Sequence, residues 1–351
     1  MLYSNSVAIS KSSFKKQITI FYKQLVLVYN PRILAGVFIF KYSCLGSLVI
    51  IIRHNNPKTM KKLLAFSLVL VACHNNVVPG NGVVPGTEGK TLLWQITGPG
   101  ISRPSYLYGT IHIMCPDDII MTDVLTDKFN STTQLYLELD LDDPSTMTDA
   151  MKGMMMKNNV TLQKLLPKEE YDSAAHNFQK LTGIPLSMMN TMQPMLAEAA
   201  IYPSLLGCAG EAWEQKFMQM AKDKKMELKG LETTQDQLNV FDSIPYKVQA
   251  EMFVKSLKDI DSLKISFKQM LNVYKRKDLD SLNIMMNDDP DFTKYEGIMI
   301  DQRNARWIPE IIEVAKKTPT FFAVGAGHLG GPKGVIAMLR KKGYTMTPVS
   351  Y

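Results

Sequence analysis

Two histidines of this sequence share a local motif in which a glycine stands three residues before the imidazole. The first motif reads GTIH and ends at His112, within or at the end of a predicted strand; the second reads GAGH and ends at His328, where a predicted strand runs into a helix. Glycine lets the backbone bend or be approached closely, and strand ends of α/β sheets face the crevice where ligands bind. The spacing alone is a weak pattern, because a single such histidine is more often structural than a ligand. It predicts a site only if the two imidazoles meet.

One carboxylate and one guanidinium are candidates to join these histidines. Glu138 lies in an otherwise apolar predicted strand, where an unpaired buried charge is costly, so it must be paired, ligated or at the end of the sheet. The alternative is an edge strand with Glu138 facing water. Arg303 lies early in a helix whose later part is apolar, and it could hold a carboxylate or a developing oxyanion. Its alternative is a solvated helix face.

The elements that must position these side chains form an α/β pattern. Short β-branched and aromatic runs predict strands, and the list is Thr91–Thr97, Ser105–Met114, Gln134–Leu141, Met226–Lys229, Thr320–Val324 and Tyr344–Val349. Between Asp143 and Asn287 apolar residues recur at intervals of three and four, which indicates amphipathic helices. Helices are also predicted over 297–317 and 333–342. The fold class is therefore α/β, with a mixed sheet built from N- and C-terminal strand segments and a large helical insertion.

The N-terminal part reads as leader and tether rather than as folded domain. Residues 60–73, MKKLLAFSLVLVAC, have the charged start, short apolar run and small-residue end of a secretory signal. The ending resembles a bacterial lipobox, so we expect Cys73 to be lipid-anchored in the cell envelope, on the periplasmic or surface side; a plain signal or an uncleaved anchor is the alternative. Residues 1–59 are either an over-extended start or a membrane segment. Residues 74–90 repeat VVPG and predict a flexible tether to a domain over 91–351.

The charge distribution excludes nucleic acid as a partner of the folded part. The formal net charge is +7, but ten of the 40 Lys and Arg residues and none of the 33 Asp and Glu residues lie in residues 1–73. The remaining chain has a net charge of about −3, whereas binding to phosphate backbones needs a basic face.

Five segments together resemble the TraB/PrgY/GumN family, which includes the Tiki metalloproteases. They are YLYGTIH, QLYLELD, GLETTQDQL, DQRNARW and FFAVGAGHLGGPKGVIAMLRKKGYTMTPV, and the similarity runs in order over residues 90–351. The resemblance implies an α/β domain related to the erythromycin-esterase and ChaN-like folds. It also implies one shared site, in which the motif histidines are His112 and His328, the glutamate is Glu138 and the arginine is Arg303.

The same resemblance implies a divalent metal, manganese or cobalt with zinc as a further option, and a peptide or protein substrate. The residue types allow this chemistry: two neutral imidazoles and a carboxylate could hold an ion with open positions, which would lower the pKa of a bound water. Arg303 would stabilise the tetrahedral oxyanion, while Glu138 is either a ligand or the general base. Other family members are described as inhibitors of peptide pheromone signalling. The alternative is therefore a non-catalytic module that sequesters a peptide or a haem-like ligand in the same crevice.

Two cysteines belong to the predicted domain, Cys115 and Cys208. An even pair in an exported domain could form one disulfide, which would link the first histidine loop to the helical middle and steady His112. Two buried thiols are the alternative, and a catalytic Cys115 paired with His112 is conceivable but poorly protected outside the cytosol.

Overall fold

The computed structural model describes residues 35–40, 49–54 and 90–351. Cys73, the signal segment 60–73 and residues 74–89 of the tether lie outside the described residues. Of residues 1–59, the structure describes two antiparallel strands, β1 (Ala35–Phe40) and β2 (Val49–His54). Within the described ranges no helix is both long and apolar enough to cross a bilayer.

The folded part, residues 90–351, contains a six-stranded mixed sheet. Its strands are β3 (Leu93–Thr97), β4 (Ser105–Thr110), β5 (Gln134–Leu137), β6 (Glu227–Gly230), β7 (Thr320–Gly325) and β8 (Thr345–Val349). Their order across the sheet is β6-β5-β7-β4-β3-β8. Strands β6, β5, β7 and β4 are mutually parallel, whereas β3 runs antiparallel to both β4 and β8. The carboxyl ends of four neighbouring strands therefore meet at one edge of the sheet.

Helices surround this sheet and fill the interval between β5 and β7. In the described part of the chain they are α1 (Asp123–Asn130), α2 (Pro144–Gly153), α3 (Leu162–Leu165), α4 (Lys168–Thr182), α5 (Pro194–Glu198), α6 (Tyr202–Leu206), α7 (Trp213–Asp223), α8 (Thr234–Asp242), α9 (Tyr246–Lys258), α10 (Ile260–Lys275), α11 (Leu279–Asn287), α12 (Pro290–Glu296), α13 (Gln302–Lys317) and α14 (Val335–Lys341). One π-helical turn, Gly297–Asp301, precedes α13, and a 3-10 turn, Ala326–His328, follows β7.

Alternating strand residues form a core on each face of the sheet, because successive side chains of a strand point to opposite faces. On one face Leu135 and Phe321 pack with Phe217 of α7 and Tyr274 of α10. On the other face Tyr136, Phe322, Trp307 of α13 and Leu339 of α14 pack together. The sheet is thus the middle layer of a three-layer arrangement, which holds the strand ends rigidly.

The helical insertion has a third core of its own, in which Phe178, Ala250 and Phe253 are buried. Helix α2 lies against α8 at Gly153, where a Cβ atom would stand 2.1 Å from Cδ1 of Leu238. Any side chain at this position would displace the side chain of Leu238, so glycine allows α2 and α8 to approach closely.

The mixed α/β fold predicted from the sequence is confirmed, but two strands end earlier than predicted. β4 ends at Thr110 rather than Met114, because Met114 pairs instead with Glu211 in the loop before α7. β5 ends at Leu137 rather than Leu141. Next to it, the N–H of Gly325 donates to the carboxylate of Glu138 and not to a strand carbonyl. The predicted helix over 297–317 begins as the π-helical turn.

Cys115 and Cys208 form a disulfide, with Cα atoms 5.8 Å apart and a sequence separation of 93 positions. The bridge joins the loop after His112 to the loop before α7. Two backbone hydrogen bonds between Met114 and Glu211 lie close by, with N···O distances of 2.9 and 2.8 Å. Together these links hold the segment of His112 against the N-terminus of α7.

Reduction of this disulfide is expected to lower the free energy of unfolding by about 2–4 kcal/mol, because a closed loop of this length restricts the unfolded chain. Urea unfolding of oxidised and reduced protein measures the difference. The double variant Cys115→Ser/Cys208→Ser is the matched control and should reproduce the reduced protein. Equal stability of all three would show that the bridge adds nothing.

Candidate active site

Four neighbouring parallel strands each supply a side chain just beyond their carboxyl ends. Glu232 follows β6, Glu138 follows β5, His328 follows β7 and His112 follows β4. The two histidines, 216 positions apart in sequence, become neighbours because β4 and β7 are paired directly in parallel register. The edge of the sheet therefore assembles the two histidines and the glutamate predicted from the sequence, and adds a second glutamate.

Gly325 marks the point on which three of these side chains converge. A Cβ atom at this position would lie 3.2 Å from Oε1 of Glu138, 3.6 Å from Nε2 of His112 and 3.7 Å from Cδ2 of His328. Any side chain here would fill the space between the three groups. Glycine at this position thus leaves the space between the three groups open.

His328 is buried and neutral, with its tautomer set by its neighbours. The side-chain nitrogen of Asn304 donates to the backbone carbonyls of His328 and Lys333, so its Oδ1 accepts a hydrogen bond from Nδ1 of His328 at 2.7 Å. Nε2 then has a free lone pair, which accepts from Nη1 of Arg303 at 3.1 Å. Burial lowers the pKa of His328 to about 3.

His112 is oriented by a carboxylate on the other side of the site. Its Nδ1 lies 3.0 Å from Oε1 of Glu214, the same oxygen that accepts a 2.6 Å hydrogen bond from the hydroxyl of Thr110. A carboxylate only accepts, so Nδ1 holds a proton and Nε2 is the atom near Gly325. The hydrogen bond to Glu214 raises the pKa of His112. Because 70% of the side chain of His112 is exposed, water screens part of this interaction.

Arg303 lies between two buried carboxylates. Its Nη2 donates to Oε2 of Glu138 and to Oε1 of Glu232, both at 2.5 Å, and its Nε donates to both oxygens of Glu232 at 3.0 and 3.2 Å. The indole of Trp307 donates to Oε2 of Glu232 at 3.2 Å. Nη1 of Arg303 also donates to the carbonyl of Met299 in the π-helical turn. These contacts fix the guanidinium against the strand ends.

Glu138 is ionised despite its burial. Burial alone would raise its pKa, but neighbouring positive charge and the N–H of Gly325 outweigh that effect and hold the pKa below its ordinary value. Since His328 is itself neutral near pH 7, Arg303 is the main source of that charge. Gln237 of α8 also donates to Oε2 of Glu138, at 3.2 Å. The carboxylate is thus held by three donors.

The donor chemistry of His112, His328 and Glu138 fits a divalent ion of the borderline class, for which imidazole and carboxylate are common ligands. Carboxylate and amide partners on the outer ring nitrogens are also typical of metal-binding histidines. In the arrangement described for residues 90–351, however, no three His, Cys, Asp or Glu side chains are grouped so that they could hold an ion. Nη1 of Arg303 takes the contact to His328 that an ion would need. An ion bound by Nε2 would require Arg303 to turn away from this atom.

The metal-free protein is expected to lose stability as the pH falls from 6.5 towards 3, because the unfolded chain takes up a proton at His328 that the folded chain refuses. The pKa is depressed in the fold, so the contribution is complete above 6.5. It decreases below that value by up to about 1.4 kcal/mol per pH unit. Urea unfolding in EDTA between pH 6.5 and 5 measures the slope. In His328→Gln the slope of the unfolding free energy against pH should correspond to uptake of one proton fewer on unfolding. An unchanged slope would contradict a neutral buried imidazole at His328.

Sequence reasoning missed the residues that orient the site. Glu232 and Asn304 both lie in segments that carry the family resemblance, but neither segment alone shows which side chain is buried. Glu214 gives no signal at all, since one glutamate at the start of an amphipathic helix is ordinary. Its position depends on the backbone pairing of Met114 with Glu211, a long-range contact.

Comparisons with known proteins show similarity at the level of family. The sequence model of the TraB/PrgY/gumN family matches residues 92–348. An uncharacterized protein of Treponema pallidum (strain Nichols) is 22% identical over 278 residues, which cover 72% of this chain and 81% of that protein. Metalloprotease TIKI2 of Danio rerio is 22% identical over 316 residues, or 73% of this chain and 60% of the relative. Metalloprotease TIKI1 of Homo sapiens is 24% identical over 321 residues, or 74% and 62%.

This chain therefore spans about three fifths of the length of these metalloproteases. No solved structure matches the chain significantly. The relation to the erythromycin-esterase and ChaN-like folds stays a prediction.

Proposed function

The chain belongs to the TraB/PrgY/gumN family, and from that premise we propose that it is a metal-dependent hydrolase of peptides. His112, His328 and Glu138 would hold one divalent ion, manganese, cobalt or zinc. The observation that supports this most strongly is the convergence of the three side chains on Gly325, within 3.2 to 3.7 Å of the place where a Cβ would stand. Metalloprotease is also the name of several relatives.

An ion held there would polarise a peptide carbonyl and lower the pKa of a water molecule. Side chains of the protein would orient the ligands and transfer the proton. Asn304 and Glu214 bind the Nδ1 atoms of the two imidazoles, so each Nε2 would be the ligand atom. At His112, whose pKa Glu214 raises, an ion would displace the proton of Nε2, and at His328 it would displace the contact of Arg303. Glu138, ionised by its low pKa, accepts a proton from the attacking water if it does not act only as a ligand.

Arg303 has the second role in this proposal. Its side chain is 11% exposed, and its guanidinium contacts both Glu138 and His328. Once turned from Nε2 of His328, the same group would donate to the carbonyl oxygen on which negative charge develops. Glu232 would remain as its anchor, since it makes three of the hydrogen bonds to Arg303.

We also propose a location in the cell envelope, lipid-anchored through Cys73, with the tether 74–90 between the anchor and the domain. The proposal rests on the lipobox-like sequence before Cys73. A disulfide between Cys115 and Cys208 agrees with an oxidising compartment. Mass spectrometry of the mature N-terminus tests it: a diacylated cysteine at position 73 is expected, and an unmodified N-terminus at Met1 or Met60 would contradict it.

A peptide library tests the activity. The full chain is incubated with the library in Mn²⁺, Co²⁺ or Zn²⁺ and in EDTA, and the products are sequenced by mass spectrometry. We expect cleavage that EDTA abolishes and added metal restores. Stoichiometric peptide binding that survives chelation, without turnover, would instead establish the non-catalytic module.

A further inference from the structure

A cavity of about 390 Å³ opens directly beside the candidate site. Its polar lining residues are His112, Glu138, Glu214, Gln237 and Arg303. Six apolar residues beyond β5 also line it and form what we call the apolar wall: Leu139, Leu141, Leu196, Val240, Phe241 and Met299. The cavity thus combines the polar groups of the candidate site with an apolar lining.

The apolar wall is not part of the packed interior. None of its six residues belongs to, or packs against, the three hydrophobic cores of the described chain. Five of them are half-buried, and Leu141 is 42% exposed. They come from separate elements, the loop after β5, helices α5 and α8, and the π-helical turn. Apolar side chains from four elements therefore line one space that is open among the described residues 90–351.

From this wall we infer that the protein selects peptides with a large apolar side chain, such as leucine, phenylalanine or methionine, next to the bond that is cut. The inference rests on the proposed function and names its substrate class. The cavity volume lies within the range of roughly 300–1,000 Å³ that is usual for ligand pockets. Its wall favours apolar side chains and disfavours charged ones, since an unpaired charge is costly to bury. The peptide carbonyl would then lie beside the polar lining residues, where Arg303 would donate a hydrogen bond to it.

Matched decapeptides test this inference. They share a Gly/Ser background and differ at one central residue, which is Leu, Phe, Ala, Asp or Lys. With added Mn²⁺, the full chain should cut the Leu and Phe peptides with a kcat/KM at least about tenfold above that of the Ala peptide. The cut should lie at the varied residue. Equal rates for all five would overturn the inference while leaving the proposed function intact.

Binding measurements keep the inference testable if no peptide is cut, an outcome that would count against the proposed function itself. Fluorescein-labelled versions of the same peptides are titrated with the full chain in EDTA. The Leu peptide should bind at least about tenfold more tightly than the Asp peptide. Equal affinities would overturn the apolar selection.

Two wall variants locate the effect. Leu141→Asp should reduce binding of the Leu peptide about tenfold, and its exposed position allows it to fold. Ile265→Asp is the matched control, because Ile265 is 57% exposed on α10 and does not line this cavity. Phe241→Ala should enlarge the space and shift the preference from Leu towards Phe. Equal behaviour of Leu141→Asp and Ile265→Asp would contradict a role for this wall.

Discussion

Alanine at His328 is expected to reduce peptide hydrolysis by about 10³-fold or more, because it removes a buried neutral imidazole whose free Nε2 is a ligand atom of the proposed site. His112→Ala should have an effect of the same order. The measurement is kcat/KM on the peptide that the wild-type chain cuts best, at saturating metal. Activity should not return with more metal if the ligand set is broken.

His176→Ala is the matched control for both variants, since His176 is an exposed residue of α4. It should retain wild-type activity. Circular dichroism and urea unfolding show whether each variant is folded. A folded His328→Ala protein with near wild-type turnover would contradict the assignment of His328 to the reacting centre.

Replacement of Arg303 by alanine is expected to lower the free energy of unfolding by about 3–5 kcal/mol, in addition to any loss of activity. It leaves two nearly buried carboxylates, Glu138 and Glu232, without the cation that lies between them. Arg303→Lys should recover only part of this loss, because an ammonium cannot reproduce a guanidinium that donates from three nitrogens. Urea unfolding at pH 7 measures all of these differences.

Arg306 provides the control on the same helix. Its guanidinium is 3.7 Å from Glu232, but the side chain is 47% exposed. Because exposed ion pairs contribute little, Arg306→Ala should cost less than about 1 kcal/mol. If Arg303→Ala costs no more than Arg306→Ala, then Arg303 does not hold the carboxylates together, and its proposed move towards a substrate carbonyl loses its basis.

The sequence predicted which residues form the site better than it predicted the hydrogen bonds that orient them. Glycine before each histidine, and a glutamate in an apolar strand, are local signals with a direct physical meaning. Parallel strands from both ends of the domain then bring His112, Glu138 and His328 to one edge, as the alternation of strands and helices indicated. The sequence predicted the strand ends less well. There, hydrogen bonds between backbone and side chain, such as that from the N–H of Gly325 to the carboxylate of Glu138, replace the hydrogen bonds between strands.

The supporting residues could not be predicted because their roles depend on tertiary contacts. Glu214 reaches His112 only through the pairing of the loops that Cys115 and Cys208 also join. Glu232 is recognisable as the anchor of Arg303 only once β6 is placed at the edge of the sheet. Arg303 itself was expected to hold a carboxylate or an oxyanion. The structure shows it holding two carboxylates and contacting His328 as well.

Direct metal binding tests the central claim most directly. The full chain is stripped with EDTA, dialysed against Mn²⁺, Co²⁺ or Zn²⁺, and its metal content is measured together with protein concentration. We predict one tightly bound ion per chain, lost in both His112→Ala and His328→Ala and retained in His176→Ala. A wild-type chain that binds no ion, or single-histidine variants that bind as much as the wild type, would contradict the account.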